Sequence, residues 1–208
     1  GGNLLQDKRF SPRTEKGDQH DPHGEDKQYI ANTYGRFPFE AASGKNATCM
    51  GGDGKTYIDF SSGIGVNSLA LDEGWAAAVA KQAATLQHIS NLYYTAPMVK
   101  VAKTLCERTF ADKVFFCNSG AEANEGMIKT ARKYSFDKYG RGRHKIVALE
   151  NSFHGRTVTT LSATGQESST GILTITDGFS FVGAGDIAAL ERAADGETCG
   201  VLLELIQG

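Results

Sequence analysis

Eight consecutive residues, Asn118-Ser119-Gly120-Ala121-Glu122-Ala123-Asn124-Glu125, carry the densest chemical content of the chain. They stand between a short apolar run at 114–117 and a long amphipathic stretch over 122–139, so the pattern is strand, turn, helix. A turn that opens a helix leaves backbone N–H groups unpaired and sets the positive end of the helix dipole beside them, which suits an anion and phosphate above all. Ser119 adds a hydroxyl, Gly120 lets the backbone approach closely, and Ala121 offers an amide from the first turn. The same serine also fits a plain helix N-cap, because Ser is among the commonest caps, and spacing leaves both readings open. A second group, Asn151-Ser152-Phe153-His154-Gly155-Arg156-Thr157, follows the next apolar run, at the carboxyl end of a strand, where open α/β sheets place their ligands. Phe153 could stack on a planar ring, and Arg156 could hold a carboxylate through paired hydrogen bonds that lysine cannot make. Core packing for the phenylalanine and a solvated surface for the arginine are the plain alternatives.

The elements that must position these groups follow from periodicity. Strands are expected at 114–117, 146–149, 179–182 and 201–203, with helices over 122–139 and from the Asp186 cap to Ala194. Short apolar runs alternating with amphipathic helices predict a mostly parallel sheet covered on both faces, an α/β architecture. Upstream, 48–50 and 56–60 flank Gly51-Gly52-Asp53-Gly54, a connection that closes a β-hairpin. Helices are expected over 75–88 and from about Pro97, with Val101, Ala102 and Leu105 on one face. Residues 1–27 are polar and are expected to lack order; 28–74 form an N-terminal segment with the hairpin, and 75–208 open the large domain.

Composition narrows the function classes. With 208 residues, 40% of them hydrophobic, and a formal charge of −2, the chain can bury a core but has no basic face for nucleic acid or an acidic membrane. No apolar run approaches the roughly 20 residues of a membrane span, and no basic-then-apolar leader opens the sequence, so the expected location is the cytoplasm. Cys49, Cys106, Cys117 and Cys199 form no C-x-x-C pair and are expected as buried free thiols; a nucleophilic cysteine would need an electropositive neighbourhood. His20 and His23 lack a third ligand partner, so no metal is expected.

Taken together and in order, about 30 residues apart, the two motifs resemble those of the class III, ornithine-type, pyridoxal-phosphate-dependent aminotransferases. Further matches to that class are Asn32-Thr33-Tyr34-Gly35-Arg36, Tyr57-Ile58-Asp59-Phe60, Gly63-Ile64-Gly65-Val66-Asn67, His88-Ile89-Ser90-Asn91 and Glu204-Leu205-Ile206-Gln207-Gly208, so the likeness spans residues 28–208. The resemblance implies the fold type I architecture, pyridoxal 5'-phosphate as cofactor, and a homodimer with its site at the interface. It implies that Ser119, Gly120 and Ala121 hold the cofactor phosphate, that Phe153 lies over the pyridoxal ring with His154 in the same cofactor site, and that Arg156 binds the substrate α-carboxylate. Asn91 and Tyr93 would line the substrate approach, with ordinary packing equally open for Tyr93. The implied reaction moves an amino group from N-acetylornithine, or from a related ω-amino acid such as ornithine, 4-aminobutyrate or glutamate semialdehyde, to 2-oxoglutarate.

The chain departs from the family pattern in places. Ala70-Leu71-Asp72-Glu73-Gly74-Trp75 stands where a Gly-His-x-His-Pro stretch is usual, Leu205 replaces a proline, and 168–176 lacks aromatic, Pro-rich character. The family continues beyond the equivalent of Gly208 to the aspartate that pairs with the pyridine nitrogen and to the Schiff-base lysine. No catalytic residue is therefore assigned here, and the chain is expected to be an N-terminal half, with a non-catalytic fragment as the alternative. Lys129, Lys133 and Lys145 read as solvated residues that do not replace the missing lysine.

Overall fold

A computed structural model describes residues 21–166 and 176–207, in two compact units, Gly1–Tyr93 and Tyr94–Gly208. Most of the polar stretch 1–27, with His20, and the tract 167–175 lie outside the described residues.

In the first unit, α1 (Pro22–Tyr29) starts on a proline, whose fixed φ and missing N–H suit a first turn. Residues 22–27 are thus helical where their composition argued against order; the Arg36 guanidinium bonds Asp26 on this helix at 3.2 Å. Strands β1 (Ala41–Lys45), β2 (Thr48–Gly51) and β3 (Thr56–Ile58) form an antiparallel meander. The expected glycine-rich hairpin joins β2 to β3. Gly54, at φ +77°, donates to the Gly51 carbonyl at 2.9 Å, and the Asp53 carboxylate accepts from the Lys55 amide and the Tyr57 hydroxyl. Helix α2 (Glu73–Thr85) begins two residues earlier than periodicity suggests because Asp72 caps it, accepting from the Trp75 amide at 2.6 Å. Ahead of that cap, Leu71 bridges back to Asn46.

The second unit opens with α3 (Ala96–Arg108), again with proline in its first turn, and continues with α4 (Gly120–Tyr139), β4 (Lys145–Leu149), α5 (Val158–Ser162), β5 (Phe179–Val182), α6 (Ile187–Ala193) and β6 (Thr198–Leu202). The sheet runs β5-β4-β6 and is wholly parallel. Ile146, Val147 and Ala148 point alternately to opposite faces of β4 yet are all buried, so the central strand is covered on both sides, as expected. Ile128 of α4, Ile146 and Ala163 pack together, with Phe179, Cys199 and Leu202 against them. Asp186 caps α6, accepting from the Ala189 amide.

Two expectations are corrected. Residues 114–117 are not in a strand: no ladder partner lies beside them among the described residues, and Phe115 is 72% exposed. The cysteines are all free, but none is fully buried, and Cys117 is exposed because it lies in that unpaired segment. Helix α5 escaped the periodicity reading, since Val158-Thr159-Thr160-Leu161-Ser162 has poor helix propensity; a capping box between Thr157 and Thr160 holds it.

Candidate functional site

Ser119 is the N-cap of α4: its Oγ accepts from the Glu122 amide at 3.1 Å. The cap and the anion reading are compatible, because the accepting hydroxyl keeps its own proton to donate. Glu122 turns back and accepts from the Asn118 amide at 2.6 Å, so its carboxylate closes the turn. The amides of Gly120 and Ala121 have no acceptor among the described residues, and a Cβ placed on Gly120 would meet nothing within 4 Å. A hydroxyl and two free amides at the start of a 20-residue helix form a donor set that fits a phosphate ester.

The loop 151–157 leaves the end of β4 and is pinned from several sides. Asn151, at φ +60°, donates to the Gly165 carbonyl at 2.8 Å; the Ser152 hydroxyl is buried and accepts from the Gly165 amide. The His154 amide donates to Thr164 Oγ1 at 3.1 Å, and its carbonyl accepts from the Asn124 carboxamide at 2.7 Å. Thr157 Oγ1 donates to Glu125 Oε1 at 2.6 Å while capping α5. Gly155, at φ +133°, lies so close to α4 that a Cβ there would sit 2.7 Å from the Ala121 Cβ. The two motifs found in the sequence therefore meet.

On this loop Phe153 is half exposed and the Arg156 guanidinium lies over its ring, 5.5 Å from the centroid. Arg156 makes no ion pair among the described residues, leaving its planar donor fork available to a carboxylate. His154 is buried, and its Nε2 has no partner among the described residues. Burial pushes this imidazole below its ordinary pKa, outweighing the upward pull of the Glu204 carboxylate, so the ring is held neutral. Glu204 also carries a buried Oε2 with no partner among the described residues, and the Gln207 side chain donates to the Glu150 carbonyl at 2.9 Å, bringing the segment after β6 beside the end of β4.

Asn91 and Tyr93 lie in an exposed stretch at the end of the first unit, and their place on the substrate approach rests on the resemblance alone. An apolar groove of about 1250 Å³ runs along α4 past Phe115, Met127, Tyr134 and Cys199, but neither motif's phosphate, ring or carboxylate residues line it. The sequence reading missed Asn124, Glu125, Gly155 and Thr157 as joining residues. All four lie inside the two motifs, yet nothing in their spacing says that they touch.

The second unit's wholly parallel sheet, with the start of α4 and the arginine loop at its strand ends, has the architecture of a fold type I aminotransferase. The chain belongs to the class III aminotransferase family, which it matches over residues 29–208. The acetylornithine aminotransferase of Caldanaerobacter subterraneus subsp. tengcongensis is 46% identical over 185 residues, covering 88% of this chain and 47% of that protein. Among solved structures, the N-acetylornithine aminotransferase of Stenotrophomonas maltophilia K279a is similar with a TM-score of 0.71 at 32% identity, over 89% of this chain and 44% of that one. The ornithine aminotransferase of Toxoplasma gondii, solved with partial occupancy of PLP at its active site, gives a TM-score of 0.82 at 27% identity, over 89% and 44%. The chain spans about half the length of the curated relatives it matches.

Proposed function

We propose that the intact protein carrying this chain is a cytoplasmic, homodimeric aminotransferase that moves the amino group of N-acetylornithine to 2-oxoglutarate with pyridoxal 5'-phosphate. The observation that supports this best is the docking of the Phe153–Arg156 loop onto the same helix whose first turn offers free amides and the Ser119 hydroxyl. When bound, the cofactor supplies the aldehyde that takes up an amino group and the ring that accepts the electrons of the broken Cα–H bond. The residues of this chain bind and orient. Ser119, Gly120 and Ala121 hold the phosphate; Phe153 gives the ring a flat apolar face; the neutral His154 is a cofactor-site residue without a competing charge; Arg156 fixes the plane of the substrate α-carboxylate. Asn91 and Tyr93 are proposed for the substrate approach.

Two of the lysines are engaged in ion pairs. Lys133 pairs with Asp137, and Lys145 with Asp195 and Glu197. The hydrogen bond to Glu197 raises the pKa of Lys145, which keeps it protonated, the opposite of what an imine-forming amine needs. Neither replaces the family's Schiff-base lysine.

Glutamate formation by the intact protein from N-acetylornithine, ornithine and 4-aminobutyrate, each with 2-oxoglutarate, tests the proposal. The acetylated donor should lead in kcat/KM by at least about tenfold, or about 1.4 kcal/mol. No transfer from any donor, or a lead by 4-aminobutyrate, would overturn the substrate assignment.

A further inference from the structure

Among the described residues Arg156 makes no ion pair to fix its position, yet the residues on either side of it are tied to α4. Asn124 and Glu125 are consecutive on that helix. The Asn124 Nδ2 donates to the His154 carbonyl at 2.7 Å, and Glu125 Oε1 accepts from the Thr157 hydroxyl at 2.6 Å. Between these bonds Gly155 presses against Ala121, where a Cβ would fall 3.0 Å from the Ala121 Cα. Residues 154, 155 and 157 thus all rest on the first two turns of the helix that starts at the phosphate-ready amides. The short O–H···O bond to Glu125 is charge-assisted and stronger than a neutral one. The helix is anchored independently, by Ile128 at 1% exposure and by the Ser135 hydroxyl, which donates to the Arg143 carbonyl at 2.8 Å.

From this bracket we infer that Asn124 and Glu125 are positioning residues, which set the distance and angle between the phosphate turn and the guanidinium of Arg156. Neither touches substrate. They make α4 a ruler: its first amides fix one end of a bound cofactor–substrate pair, and its second turn fixes the carboxylate clamp at the other. Misplacing a clamp by about 1 Å can cost about a hundredfold in kcat/KM without removing any contacting group. The inference rests on the role proposed for Arg156, and the following experiment separates the two.

In the intact protein, Glu125→Ala and Asn124→Leu should each raise KM for the amino donor about tenfold to a hundredfold. The visible absorbance of bound cofactor and kcat should stay within about threefold, while Glu125→Gln, which still accepts from Thr157, should keep most of the wild-type KM. Hydrogen exchange of the cofactor-free protein gives a readout independent of turnover: amides at 152–157 should lose protection in Glu125→Ala while those of α4 keep theirs. Unchanged KM and unchanged exchange overturn the inference. So does a parallel fall in cofactor retention, or a failure of either variant to fold, because the bonds are assigned to placing one loop and not to holding the core. If Arg156→Lys leaves KM untouched, the role of Arg156 is what fails; if Arg156→Lys raises KM and Glu125→Ala does not, the ruler alone fails.

Discussion

Arg156 and His154 do opposite things with charge. Arg156 offers a planar guanidinium fork whose paired bonds to a carboxylate an ammonium cannot reproduce. Arg156→Lys in the intact protein should therefore raise KM for both amino donor and 2-oxoglutarate by tenfold or more, about 1.4 kcal/mol, with the bound-cofactor spectrum unchanged. An equal loss of cofactor would place the residue elsewhere. His154 is kept neutral by burial, so its folded-state pKa lies below the unfolded value of about 6.5. The sign follows from proton counting: below that value the unfolded chain takes up a proton that the folded chain refuses, so stability is full above about pH 6.5 and falls as the pH drops through it. Urea unfolding of the intact protein at pH 7.5 and 5.5 should show this loss, and His154→Gln should shrink it. An identical loss in the variant would assign the pH dependence to other groups.

At the scale of elements, the sheet and its helices were legible because apolar runs and caps are local signals. Residues 146–149 and 179–182 announce themselves as strands, and Asp186 marks where α6 begins. The segment 114–117 has the same texture but no ladder partner among the described residues, which no local signal could reveal. Helix α5 was invisible for the converse reason, its β-branched residues being overruled by the Thr157–Thr160 box. The two site motifs were legible as residue types. Their junction was not, because Asn124 to His154 and Glu125 to Thr157 are contacts across 30 and 32 residues of sequence. Gly155 lies at that junction, with φ +133° and the Ala121 backbone in the way of any side chain. Gly155→Ala should thus cost about 1–3 kcal/mol of stability, read from the denaturant midpoint. A midpoint equal to the wild type would mean that the loop need not touch α4.

For the molecule as a whole, the described residues hold the two motifs proposed for the cofactor phosphate and the substrate carboxylate, while Lys133 and Lys145 are engaged in ion pairs. The family likeness covers nearly all of the chain but only about half the length of each relative, so the proposed activity is tested on the intact protein. That protein should sediment as a dimer, and a catalytically competent monomer would contradict the proposed assembly. The cofactor-free intact protein, titrated with pyridoxal phosphate and separately with unphosphorylated pyridoxal, reports whether residues 119–121 are the phosphate turn. Ser119→Ala should weaken pyridoxal phosphate by about 1–2 kcal/mol, one charge-assisted hydrogen bond, and leave pyridoxal binding unchanged. An equal loss for both ligands, or none for either, would leave Ser119 as a helix cap only and remove the phosphate from this turn.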